Sequence, residues 1–388
     1  MTPKQTFTLS MLYLLVLSCA ILSCEEAQNI LTPGAPNTIK IGLVLELPEQ
    51  TATQYGAQLA LTEINQQGGF MGIPLELVIK SNDDNAQRSA EVAEALISGD
   101  KVAALIGPNF SRNAIESAKI AQQHGVPIVT ATATNPTVTD AGDYVFLGAF
   151  SDNFQGQVMA QFARRDLNAR TAAILTQTDD LFSSGLSEIF AAAYTALGGS
   201  VVAREGYTID EADFTTQLTA IAAVAPDVVF MPGFVEHVPV AIRKARTIPQ
   251  PNASGITATF LGADSWDNPD LLSGVGNQLD GSYFTNHFSP EAQDPDAQAF
   301  VQAYRSMFGI APDGRAAMGY DALRLVVTAM RRTGSLAPAA VRDQIAATRG
   351  YKGATSLLSY DENRHPTKSA VILRIENGRV RFHQQVEP

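Results

Sequence analysis

The chain has 388 residues, room for two domains or one large one, and its 45% hydrophobic content marks a globular protein rather than a disordered one. Its 27 Lys and Arg against 39 Asp and Glu give a formal net charge of -12. No basic cluster interrupts that excess, which excludes wrapping duplex nucleic acid or holding another polyanion.

The first 24 residues differ from the rest. Lys4 sits in a short polar start, and the apolar run from Met11 to Cys24 is too short for a comfortable membrane span and fits the core of a signal peptide. Both cysteines of the chain, Cys19 and Cys24, lie in that run, so the exported body has none and disulfides hold nothing together. Each follows Ser and an aliphatic residue, which resembles the lipobox of bacterial lipoproteins, where the Cys becomes the lipidated first residue. Cys24 fits better than Cys19, because it follows the whole apolar run and precedes the polar Glu25-Glu26. An ordinary cleaved signal peptide and an uncleaved anchor are the alternatives. The polar stretch from Glu25 to Thr38, with Pro and Gly, reads as a tether.

From residue 39 short apolar strands alternate with amphipathic helices. Ile39–Leu45 reads as a strand, and the helix after it carries Ala57, Leu59, Ala60, Leu61 and Ile64 before stopping at Gly68-Gly69. Strand 75–80, helix 86–98, strand 102–106, helix 112–124, strand 127–131 and a strand near 144–147 follow. This alternation means a parallel sheet covered on both faces. Near residue 150 the layout restarts, with helix 154–168, strand 171–176, helix 183–197, strand 200–206, helix 213–224, strand 227–231, helix 236–247 and strand 258–261. The recurrence predicts two lobes of like architecture with a cleft between them. Past 281 come strand 282–286, helices 295–308, 315–333 and 337–347, then a hairpin in which Val371–Ile375 and Val380–Phe382 flank Asn377-Gly378.

Catalytic signatures are missing: the sequence holds no nucleophile elbow, phosphate-binding loop or dinucleotide fingerprint. His124, His237, His287, His365 and His383 never approach ligand spacing, so no metal site is expected. Asp83-Asp84 and Asp179-Asp180 are adjacent carboxylates that point to opposite sides of an extended segment, and they read as solvated loop ends.

In open α/β sheets ligands bind beyond the carboxyl ends of the strands, where helix N-termini expose N–H groups. Those ends carry Gly107-Pro-Asn-Phe-Ser111, then Thr132-Ala-Thr134, then Thr178-Asp-Asp-Leu-Phe182, then Pro232-Gly-Phe234, and finally Gly262-Ala-Asp264-Ser-Trp266. The first lobe offers hydroxyls and helix N–H groups that suit a carboxylate. The second offers aromatic faces and one acid, Asp264, that suit a cation, and together they describe a zwitterion. Each residue also has a structural reading: Ser111 as a helix N-cap, Thr134 as a turn former, and Asp264 as the cap of a helix near Asn268. Phe182 and Phe234 read equally as packing residues, and Tyr55 and Tyr320 as half-buried helix core.

Taken in order, Ala104–Ser111, Gly125-Val-Pro-Ile-Val, Ala133–Pro136, Asp213–Leu218, Ala225–Phe230, Arg243–Arg246, Gly262–Trp266 and Gly319–Leu323 resemble the branched-chain amino acid (leucine/isoleucine/valine) binding proteins of ABC importers. The resemblance runs from Ile39 to the final hairpin. It implies an α/β type I periplasmic binding protein fold, two doubly wound parallel-sheet lobes joined by a multi-strand hinge. The N-terminal lobe would take 39–149 plus about 282–335, and the C-terminal lobe 150–281 plus about 336–388. It further implies that Ser111 and Thr134 hold a ligand carboxylate, that the Thr132 carbonyl and Asp264 hold its ammonium, and that Tyr55, Phe182, Phe234 and Tyr320 flank it. This sequence departs from the family in its first loop, where Glu46-Leu-Pro-Glu-Gln50 replaces Pro-x-Thr/Ser-Gly. It departs again in Phe182 and Phe234, where Tyr is frequent, and in Asp264, one carbon shorter than the Glu of some relatives. Ligand identity is therefore not carried over.

The expectation is a monomeric, lipid-anchored solute-binding protein on the periplasmic or outer-surface face. It would deliver a small polar solute, an amino acid, to an ABC permease in the inner membrane by hinge closure, with no enzymatic step, no cofactor and no nucleic acid. A ligand-sensing or envelope-interaction lipoprotein on the same fold is the competing reading.

Overall fold

In β1 (Ile39–Leu45) Ile41, Leu43, Val44 and Leu45 are fully buried, as a strand with helices on both faces requires. The computed structural model describes residues 37–250 and 253–388. The expected leader with Cys19 and Cys24, and the tether apart from its last two residues, lie outside the described residues.

β1 pairs in parallel with β2 (Leu75–Ser81) and β3 (Leu105–Ile106), with Ile39 opposite Leu75 and Gly42 opposite Leu105. β4 (Ile128–Val129) and β5 (Val145–Phe146) complete a sheet of order β2-β1-β3-β4-β5. β3 and β4 are shorter than the apolar runs 102–106 and 127–131 suggest, with two residues each in the ladder. The second sheet is built from β6 (Thr171–Gln177), β7 (Ser200–Tyr207), β8 (Val228–Phe230) and β9 (Thr259–Gly262), all parallel. β10 (Tyr283–Asn286) adds to it in parallel beside β9. A small sheet of β11 (Tyr351–Lys352), β12 (Leu357–Tyr360) and β13 (Pro366–Thr367) follows, which the sequence pattern did not announce. The hairpin of β14 (Ala370–Glu376) and β15 (Arg379–Val386) then closes the second sheet in the order β15-β14-β10-β9-β8-β6-β7. Asn377 and Gly378 take positive φ, 53° and 65°, as the expected tight turn requires.

The lobes divide elsewhere than at 282 and 336. β10 hydrogen-bonds within the second sheet, Thr285 opposite Ile372, so the chain leaves that lobe only after Asn286. The helix Pro338–Ala346 and the small sheet pack on the first lobe, where Val341, Ile345, Ala354, Leu358 and Tyr360 join the core formed by β1 and the helices Thr51–Gln66 and Gly314–Thr333. The physical reason is long-range pairing: an apolar strand or helix face fits either core, and its partner far along the chain decides. The chain crosses between the lobes at 147–151, at 287–294 and at 368–369.

Candidate functional site

Each sheet reverses its strand order once beside the cleft, between β1 and β3 in the first lobe and between β6 and β8 in the second. A crevice opens at such switch points because the flanking connections depart to opposite faces. The cleft between the lobes encloses about 850 Å³ and is lined by residues from these strand ends.

On the first lobe the loop Gly107–Phe110 leads into helix Ser111–His124, whose N-cap, Phe110, offers no side-chain cap. Its first N–H groups are thus left for another acceptor. Glu46, at the end of β1, holds this loop. Its fully buried carboxylate accepts from the Asn113 amide at 2.8 Å, the Asn82 amide at 3.1 Å and the N–H of Asn109 at 3.1 Å. Burial pushes the Glu46 carboxyl above its ordinary value, against those hydrogen bonds. Gly107 is required here: its φ is 86°, and a Cβ would meet the Val44 carbonyl oxygen at 2.1 Å.

Thr130, Thr132 and Thr134 follow β4 and have distinct surroundings. Thr130 is spent inside the lobe, accepting from the N–H of Gly148 at 3.2 Å. The Thr132 hydroxyl accepts from the Asn109 amide at 2.9 Å and donates to the Asn109 carbonyl at 3.3 Å, so only its main chain is available to a ligand. Thr134 is 1% exposed, and its hydroxyl has no hydrogen-bond partner among the described residues. Ser111 lies beside it, accepting from the N–H of Asn135 at 3.3 Å rather than capping the helix.

On the second lobe Asp264 follows β9. Gly262 lets the chain pass over the fully buried Trp266, whose ring a Cβ would meet at 2.1 Å, and the Trp266 indole donates to the Met231 carbonyl at 3.1 Å. Asp264 caps no helix; Asn268 caps the short turn after it. The Asp264 N–H donates to Gln155 at 3.0 Å, and its Oδ2 lies 3.1 Å from His287 Nε2. Burial holds His287 below the ordinary histidine value, so its ring is neutral at pH 7 and brings no charge to the carboxylate. Asp264 Oδ1 is buried with no partner. Behind it Asp152 is fully buried, and burial pushes its carboxyl up to about 8, with the charge of Asp264 acting in the same direction.

Phe182 and Phe234 stand 5.7 Å apart between ring centres, and Phe110 of the first lobe meets Phe234 edge-on at 5.5 Å. Across the mouth Arg112 joins Asp84 of its own lobe at 2.6 Å to Asp180 of the other at 3.0 Å. Gly314 donates its N–H to Asp267 at 2.6 Å, so the lobes touch on both sides of the cleft.

The structure thus brings Ser111, Thr132, Thr134, Phe182, Phe234 and Asp264 to one cleft. Tyr55 and Tyr320 are not there. Tyr55 stacks on Phe308 at 4.7 Å, and the Tyr320 hydroxyl donates to Glu63 at 2.6 Å in the helix layer of the first lobe. Both face the core because helix Gly314–Thr333 packs along helix Thr51–Gln66. Sequence reasoning missed Asn109 and Phe110, although they lie in the quoted Gly107–Ser111 loop, and Arg112, the residue that follows it. It also missed Gln50, quoted only as part of the departing first loop, Gln177, one residue past the strand read at 171–176, and His287, weighed only as a metal ligand.

A family described as periplasmic binding protein matches residues 38–379. An amino acid binding protein of Pseudomonas aeruginosa is 28% identical over 287 residues, covering 73% of this chain and 74% of that one. The crystal structure of a leucine binding protein, LivK, from Thermotoga maritima is 31% identical, covers 90% of this chain and 99% of that one, and superposes with a TM-score of 0.84. The branched-chain amino acid transporter substrate binding protein LivJ of Streptococcus pneumoniae, solved in complex with isoleucine, is 30% identical over 90% of this chain and 100% of that one, with a TM-score of 0.82.

Proposed function

The chain belongs to the periplasmic binding protein family, and on that premise we propose that its cleft captures an α-amino acid and hands it to an ABC permease. One observation carries the ligand class. Thr134 Oγ1 on the first lobe, which faces the buried carboxyl of Asp152, and Asp264 Oδ1 on the second are buried at one cleft, and neither makes a close hydrogen bond among the described residues. An unpaired buried carboxylate is disfavoured by several kcal/mol, on the order of the effective desolvation of one ion, and a ligand ammonium removes that penalty. A ligand carboxylate set against Ser111, Thr134 and the N-terminus of helix Ser111–His124 gains from the same helix dipole. The Thr132 carbonyl adds a second acceptor for the ammonium, and Phe182 and Phe234 flank the ligand. Because the two halves of this site belong to different lobes, binding is coupled to their approach, and the closed form is the one a permease reads.

The family's export places the protein in the periplasm, and we extend this to a monomer anchored by lipid at Cys24, with Cys19 the less suited residue. The deciding experiment is a thermal-shift panel of amino acids, small amides and organic acids. A ligand at about 100 times its Kd stabilises by roughly 2.7 kcal/mol; silence toward every amino acid would overturn the reading in favour of an interaction protein. Mass analysis of the mature N-terminus tests the anchor, and an unlipidated Cys24 removes it.

A further inference from the structure

Beyond the groups that meet an α-amino acid's two charges, the cleft holds a second set of unpartnered polar atoms. Gln50 Oε1 and Asn109 Oδ1 on the first lobe and Gln177 Oε1 on the second are all buried without a hydrogen bond, and their residues are 5%, 3% and 4% exposed. All three residues line the cleft.

The amide orientations of two of them follow from their neighbours. The Thr132 hydroxyl donates to the Asn109 carbonyl and so has only lone pairs left for the Asn109 side chain, which must present its NH2 there. The same NH2 reaches Thr53 Oγ1 at 2.9 Å, and Oδ1 is left over. Asp179 is held below the ordinary carboxylate range first by the N–H of Ile209 and then by the Gln177 amide. A carboxylate only accepts, so Gln177 turns its NH2 to Asp179 and its oxygen remains. Gln50 begins helix Thr51–Gln66, whose Thr53 is the residue that Asn109 touches, which puts Gln50 and Asn109 on one wall.

We propose that this second set is the side-chain subsite, and that it selects α-amino acids whose side chains carry N–H donors, as carboxamides and cationic nitrogen groups do. On Asn109 and Gln177 the orphan atoms are carbonyl oxygens, so they discriminate by sign. An apolar side chain leaves each of them unpaired. An anionic side chain adds repulsion and meets the acidic rim of Glu49, Glu236 and Asp270. The two arginines of the lining do not offset this, since Arg112 is bound to Asp84 and Asp180, and Arg315 to Asp313 at 2.6 Å.

The inference rests on the amino acid reading of the site, and the test separates the two. Titration calorimetry on the purified protein compares glutamine with its equal-length counterparts methionine and glutamate, and lysine with norleucine. The expected result is that glutamine and lysine bind at least tenfold tighter than methionine and norleucine, and glutamate weakest of all. The variants Gln177→Leu and Gln50→Leu should each reduce the preference for glutamine over methionine severalfold, and either one suffices if the other does not fold. Methionine or norleucine binding as tightly as glutamine or lysine overturns the polar subsite and leaves the amino acid site standing. Binding of none of the five overturns the inference, and silence toward every other amino acid as well overturns the reading beneath it.

Discussion

Glu46 follows β1 in the first lobe and Asp264 follows β9 in the second; both are carboxylates at strand ends beside the cleft, and their surroundings treat them oppositely. Glu46 is saturated, taking side-chain amides from Asn82 and Asn113 and the N–H of Asn109. Asp264 is half satisfied, with a neutral imidazole on one oxygen and nothing on the other. A saturated buried charge is part of the scaffold, because all its bonding capacity is spent on the chain. A half-satisfied one keeps capacity for a visitor. Of these two carboxyl groups, the one on the second lobe keeps capacity for a ligand, while the one on the first lobe is spent on fixing its loop.

Substitutions can break that contrast, and the largest effect belongs to Glu46. Glu46→Ala takes one acceptor from each of the Asn82 and Asn113 amides and from the backbone N–H groups of Asn109 and Phe110, at about 1–3 kcal/mol each, so denaturant unfolding should lose at least about 3 kcal/mol. A variant as stable as the parent would end the scaffold role. Asp264→Ala should do the reverse, leaving the unfolding midpoint unchanged or raised while amino acid affinity falls at least a hundredfold, about 2.8 kcal/mol. Unchanged affinity removes Asp264 from the site.

Asp152 sharpens the contrast through pH. Its carboxyl is pushed from 3.8 up to about 8 by burial, so the folded chain keeps a proton that the unfolded chain releases between those values. Its contribution is complete below about pH 4 and is lost as pH rises through about 8, at up to about 1.4 kcal/mol per pH unit. Unfolding curves across that window should flatten in Asp152→Asn, and a variant that keeps the parent's slope assigns the dependence to another group. The smallest effect is expected at Tyr320→Phe, which gives up the hydrogen bond to Glu63 and the one from Arg324 for about 1 kcal/mol of stability, since Arg324 and Glu63 keep their own contact. Ligand affinity should stay within error; a marked loss would return Tyr320 to the pocket wall.

The strand ends were legible because an apolar run states where a strand stops, and the ligand rule for open sheets then points to the next residues. Ser111, Thr134 and Asp264, which line the cleft, were singled out that way. Tyr55 and Tyr320 were not, since helical spacing marks a buried face without naming the surface it meets; Tyr320 finds its partner in Glu63, 257 positions away. The same blindness moved the lobe boundary, because β10 belongs with β14 only through pairing that no local pattern encodes. The strands of the small sheet are too short to show a period at all, two residues in β11 and two in β13. His287 sits where the chain crosses between lobes, a position defined by the assembled hinge rather than by its neighbours in sequence.

Trp266 is the only tryptophan in the chain. It lies fully buried two residues from Asp264, with its ring 6.1 Å from Phe284. The site therefore carries its own optical probe. All tryptophan emission comes from the turn that carries Asp264, so a change on ligand addition would be read with no background from elsewhere in the fold.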